Sequence, residues 1–120
     1  MSKPISRRFH GALDYAYAAA IFAAPELFRF KNQPIGVVLC RAMGIATFLT
    51  SLCTRYEPGV IRVLPFKMHL LADALTGIFS LGGPFLLGFS KHERARNTFV
   101  GFGFLALVVA SLTKNEEMST

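Results

Sequence analysis

The sequence predicts an all-α fold, a four-helix transmembrane bundle made of two tandem helical hairpins. Three observations lead there. Of the 120 residues, 52% are hydrophobic, 12 are Phe and only 17% are charged, which is too apolar for an ordinary soluble domain of this length. Four apolar stretches fill nearly the whole chain. The chemically distinctive residues recur at an offset of 59 positions: FHGALDYAYAAAIFAAPELFRF (9–30) and MHLLADALTGIFSLGGPFLLGF (68–89) share a His, an Asp four residues on, a Pro eleven after that and a closing Leu and Phe.

The first helix is expected over Gly11–Phe28. Lys3, Arg7 and Arg8 ahead of an Ala-rich segment imitate a secretory signal, with Ala23-Ala24 as a cleavage site. Asp14 interrupts the apolar run such a signal needs, and the segment has an internal counterpart, so it reads as a retained helix. The second helix, Ile35–Cys53, is nineteen residues with one charge, Arg41. At 1.5 Å per residue it covers a hydrocarbon core of about 30 Å. Arg41 is expected to snorkel to the outer surface. The connection Thr54–Lys67 holds a Glu57-Pro58-Gly59 turn and a short amphipathic segment, Val60–Leu64, lying on the membrane surface. The third helix is Leu70–Phe89 and the fourth Thr98–Leu112. A buried soluble bundle would require polar faces at helical period, and the second and fourth helices have almost none.

Pro25 and Pro84 are expected to end the first and third helices, leaving Phe28/Phe30 and Phe85/Phe89 at the membrane interface as apolar anchors. Small residues spaced by four (Ala12, Ala16, Ala20, Ala24; Gly36, Cys40, Gly44) read as packing seams, within the bundle or between subunits. Cys40 and Cys53 lie on one helix about 20 Å apart, too far to pair.

Beyond the two quoted stretches, Gly44 matches Gly103, Thr54 matches Thr113, Glu57 matches Glu116, and Arg8 before the first His matches Lys67 before the second. The chain therefore reads as one membrane domain, 1–120, with repeat one over 8–57 and repeat two over 67–116. Two spans per repeat give two copies inserted in the same direction, related by a pseudo-twofold axis along the membrane normal. His10 and His69 should then sit at the same depth on the same side.

With its His-x-x-x-Asp starts and the motifs Ala24-Pro25-Glu26-Leu27-Phe28-Arg29-Phe30 and Gly83-Pro84-Phe85-Leu86-Leu87-Gly88-Phe89, the chain resembles the SPW-repeat family of small bacterial membrane proteins. The prolines and closing phenylalanines hold; the Ser and Trp of the name are absent from both copies. The resemblance implies the helix pairs and a bacterial membrane, and it brings no established activity.

His10 and Asp14 share a helix face one turn apart, as do His69 and Asp73. A lone carboxylate at the depth of Asp14 is costly, so it must be protonated, paired or turned into the bundle. One account is a structural network in which each Asp accepts from its own His or from the opposite repeat. A second is a proton or ion relay. A third is metal or haem ligation by His10 and His69 from facing helices. The residues favour no cofactor, and no nucleophile, phosphate loop or complete metal set supports an enzyme.

The expected function is a non-enzymatic structural or accessory membrane protein that binds a partner or self-associates through its small-residue seams; the alternative is ion, proton or small-ligand binding or transport through the His/Asp pairs. The net charge of +6 is spread over short loop clusters, the pattern of contact with anionic lipid headgroups and not with nucleic acid. Seven Lys/Arg lie in segments 1–9, 54–67 and 113–120, against five in 29–34 and 90–97. That places both termini in the cytoplasm, and the resemblance implies a bacterial inner membrane.

Overall fold

A computed structural model describes residues 3–118; positions 1–2 and 119–120 of the expected 1–120 domain lie outside the described residues. Four helices account for the described fold: α1 (Arg7–Leu27), α2 (Pro34–Leu52), α3 (Phe66–Leu86) and α4 (Glu93–Leu112). There are no strands among the described residues, only two isolated bridges, Ile5 with Thr113 and Thr54 with Leu64.

Each helix start has an identifiable cause. Ser6 caps α1 by accepting from Phe9 N at 3.1 Å, and Gln33 caps α2 with Pro34 at its first position, where a missing N–H costs nothing. The N-cap of α3 is Pro65, which has no side chain to offer. Glu117 supplies the anion instead, its carboxylate accepting from Phe66 N and Lys67 N at 2.9 Å each, where the helix dipole favours negative charge. Both α3 and α4 begin earlier than the hydropathy predicted, at Phe66 and Glu93, because Lys67 and His69 interrupt the apolar run at the start of α3 and the first turn of α4 is charged.

α1 packs along α2 and α3 along α4, while α1 meets α4 and α2 meets α3 over much shorter lengths. The small residues allow the close approach. A Cβ on Gly44 would lie 2.9 Å from Ala18 O, and one on Gly103 2.7 Å from Gly77 O. Gly36, Cys40 and Gly44 are buried as a seam should be; of the α1 row only Ala24 is, and Ala12 and Ala16 face outward.

Three expectations are corrected. Pro25 and Pro84 do not stop their helices at once: each is buried inside, two residues before the end. Phe30 and Phe89 are not interfacial anchors. The chain turns back after each proline, with Phe30 N donating to Pro25 O and Phe89 N to Pro84 O, which swings both rings into the core with Ile21, Cys40, Met43 and Phe99. Phe28 and Phe85 remain exposed. The third correction is Arg41, which does not merely snorkel: its guanidinium pairs with Glu26 on α1 and lies over the Phe22 ring.

The segment 60–64 is not helical; Val60, Ile61 and Val63 are exposed, and Arg62 folds back on the carbonyls of Gly59 and Glu57. α2, α3 and α4 are each long and apolar enough to cross a membrane, and Val38, Leu49, Leu71, Leu75, Ile78 and Phe104 stand exposed on them. An apolar surface of that kind belongs against lipid.

Candidate functional site

At the end of the bundle opposite the prolines, the first two turns of α1 and of α3 bring His10, Asp14, His69 and Asp73 together. Helical spacing of four puts each His over its own Asp, and the packing of the halves adds the cross pairs. His10 Nε2 lies 2.8 Å from Asp73 Oδ2 and 3.2 Å from Asp14 Oδ1. His69 Nε2 lies 2.9 Å from Asp14 Oδ2 and 3.1 Å from Asp73 Oδ2. In each case the cross-repeat contact is the shorter. One ligand atom from each of the four residues lies within 4.8 Å of the other three.

The far nitrogens of both rings are held by threonines that the sequence reading paired but gave no role. Thr113 Oγ1 is 2.8 Å from His10 Nδ1, and Thr54 Oγ1 is 2.7 Å from His69 Nδ1. Each hydroxyl donates its hydrogen to the carbonyl four residues back, Val109 O and Thr50 O, at 2.6 Å. A hydroxyl has one hydrogen to give. Each Thr must therefore accept from the imidazole, which places a proton on both Nδ1 atoms and turns both Nε2 atoms toward the carboxylates.

The quartet is sealed on its loop side. Tyr56 and Phe66 are completely buried, Phe66 stacks on His69 and meets His10 edge-on, and Tyr56 packs on His69. Tyr56 OH donates to Asp14 Oδ2 at 2.9 Å. Burial, then the Asp14 charge, pushes its phenol well above the ordinary range. Position 115, 59 residues on, is an exposed Asn, so Asp73 lacks this cover, and its side chain is 19% exposed against 9% for Asp14. Beside the lid, Arg7 grips Glu57 through two N–H donors, at 3.0 and 2.7 Å. That guanidinium holds the Glu57 carboxyl down at about 2.

Two cavities flank the quartet. One, of about 230 Å³, lies among α1, α4 and the middle of the bundle and reaches His10, Asp14, Tyr17 and Asp73. The other, of about 280 Å³, lies between α2 and α3 and reaches His69, Asp73, Thr47, Thr50 and Thr76. Asp73 borders both. The remaining motif residues, Pro25, Pro84, Phe30 and Phe89, lie at the other end and take no part.

The sequence model of the SPW repeat domain matches residues 8–113, a range that begins two residues before His10 and ends on Thr113. The protein belongs to the SPW repeat family. The resemblance seen in its His-x-x-x-Asp and proline motifs is thus borne out without the Ser and Trp, and a small membrane protein of this family accounts for the apolar helices. No curated protein and no solved structure matches the chain. In this SPW repeat protein, His10, Asp14 and Thr54 meet at the quartet with His69, Asp73 and Thr113, the same residue types 59 positions on.

Proposed function

We propose that this is a non-enzymatic integral membrane protein, in which all four helices span the bilayer and the His10/Asp14/His69/Asp73 quartet is a cation-handling site. α1 completes the set: its 21 residues are about 31 Å long, and the residues that dilute its apolarity, His10, Asp14 and Glu26, all have partners within the bundle. The excess of basic residues at the quartet end favours a cytoplasmic position for it in a bacterial inner membrane.

The observation that carries the reading is the convergence of four titratable side chains from two helices on one point beside two cavities. Buried ionisable groups inside a membrane bundle are costly and commonly mark ion pathways. Haem fits poorly, since the His10 and His69 rings are only 5.6 Å apart and aspartate oxygens crowd both Nε2 atoms, leaving no room for a macrocycle between them.

A second reading, a purely structural clasp, is favoured by the short contacts between α1 and α4 and between α2 and α3: the cross pairs are a large part of what joins the halves. Thermal unfolding in detergent, at stepped pH and with added cations, separates the two. A cation-handling site gives a wild-type midpoint that moves with added cations and, above the acid range in which Glu57 titrates, with pH, and an Asp14→Asn/Asp73→Asn variant that folds but no longer responds there. A clasp gives a midpoint that added cations do not move in the wild type and a uniformly lower one in the variant.

A further inference from the structure

We propose that His10, Asp14, His69 and Asp73 together bind one divalent transition-metal ion of the zinc type, taken up in exchange for two protons. The inference rests on the cation-handling reading above and names its ion.

The donor set comes first. Two imidazole nitrogens and two carboxylate oxygens make a mixed N/O environment of four, which suits zinc and its neighbours; calcium and magnesium ask for six or more oxygens. The spacing follows. Bonds of about 2.0–2.1 Å put the corners of a tetrahedron about 3.3 Å apart. The four N–O contacts measure 2.8, 2.9, 3.1 and 3.2 Å, with Asp14 offering a different oxygen to each His, and one ligand atom from each residue lies within 4.8 Å of the others, so an ion needs the short contacts to lengthen slightly and the wider separations to close in.

A third observation is independent of proximity. His69 Nε2 is fully buried and near oxygens of both aspartates, yet it makes no aligned hydrogen bond. A buried nitrogen left in this way is rare, and an ion among the four ligand atoms would satisfy it. The threonines complete the case. By accepting from Nδ1–H they fix the tautomer whose Nε2 lone pair is available to a metal, the supporting role that backbone carbonyls and carboxylates play around metal-bound histidines. Asp73, bordering both cavities, marks the route in.

Charge balances in both states. Without metal, two imidazolium rings and two carboxylates sum to zero. With it, two neutral imidazoles, two carboxylates and one divalent ion also sum to zero, and the two Nε2 protons leave to solvent. Neither state places a net charge inside the bundle, where it would be expensive.

The test uses the full chain, purified in detergent and stripped with a chelator, titrated with Zn²⁺ alone and separately with Co²⁺ as a spectroscopic probe. Expected are about one ion per chain, the strong visible bands of tetrahedral Co²⁺, and release of about two protons per ion in weakly buffered solution. His10→Ala/His69→Ala should lose all three, and His92→Ala, at the far end of the bundle, should keep them. Thr113→Val leaves all four ligands in place and should weaken Zn²⁺ by about 10-fold or more; it serves as the test if the double variant does not accumulate, an unchanged affinity then overturning the proposal. A wild type that binds neither ion, or binding that survives in the double variant, also overturns it. If no metal binds but the pH response of the melt persists and is lost in Asp14→Asn/Asp73→Asn, the cation is the proton and the metal assignment alone fails. If both signals are missing, the cation-handling reading fails with it.

Discussion

Thr113 closes α4 and, 103 residues from His10, holds a proton on Nδ1 of that ring: its Oγ1 lies 2.8 Å from His10 Nδ1 while its own hydrogen is committed to Val109 O. Thr54 does the same for His69. Thr113→Val or Thr54→Val leaves a buried N–H without an acceptor and should cost about 1–3 kcal/mol. Ser at either position should restore most of the loss. Denaturant titration in detergent, followed by helical circular dichroism, measures both.

Arg29 is the one non-glycine residue with positive φ among the described residues, at 58°, and Gly88, 59 positions later, stands at 81°. Both follow the proline-bearing helix ends. Left-handed backbone costs a residue with a Cβ about 1 kcal/mol. Arg29→Gly should therefore raise the thermal midpoint and Gly88→Ala should lower it, the latter through backbone strain alone, since nothing lies within 4 Å of the added methyl.

Gly103 and Gly101 are neighbours on α4 with opposite prospects. A methyl on Gly103 would stand 2.7 Å from Gly77 O and 2.9 Å from Leu81 N. Backbone cannot yield as a side chain can, so Gly103→Ala should push α3 and α4 apart at a cost of about 1–3 kcal/mol. A methyl on Gly101 meets nothing, and Gly101→Ala should be neutral or stabilising by up to about 1 kcal/mol through helix propensity. Paired melts of the two variants give the comparison.

Glu57 supplies a pH dependence of defined sign. Its carboxyl, held at about 2 by Arg7 against an ordinary 4.5, is charged and paired in the folded chain. The stability it contributes is present above pH 4.5 and is lost as the pH falls toward 2. The pair is partly exposed, 19% and 35%, so screening limits it to about 0.5 kcal/mol. Wild type and Glu57→Gln should melt apart at neutral pH and converge as the solution is acidified over that window.

The helices, their order and the His/Asp constellation were legible in the sequence because each leaves a local mark: apolar runs of spanning length, and His and Asp four apart written twice. Thr54 and Thr113 were visible as a matched pair, but a threonine after an apolar run has no period or charge to announce a partner a hundred residues away. Tyr56 and Glu117 left no trace at all. Tyr56 acts on one copy only, and Glu117 caps a helix it does not belong to. Phe30 and Phe89 misled for a related reason: hydropathy says that a ring leaves water, not whether lipid or core receives it. The two hydrogen bonds back to the prolines decide that.

The two bridges, Thr54 with Leu64 and Ile5 with Thr113, are the same joint, displaced by 59 residues at both of its ends. One is closed by a continuous loop and the other by the meeting of distant segments, with Ile5 N donating to Leu112 O and Lys114 N to Ile5 O. The Tyr56 cover over Asp14 and the Glu117 cap on α3 set the two halves apart, but the joint itself is common to both. A circularly permuted chain, opened between Glu57 and Val60 and joined by a short linker from beyond Thr113 to before Ile5, presents the same surfaces in the opposite order.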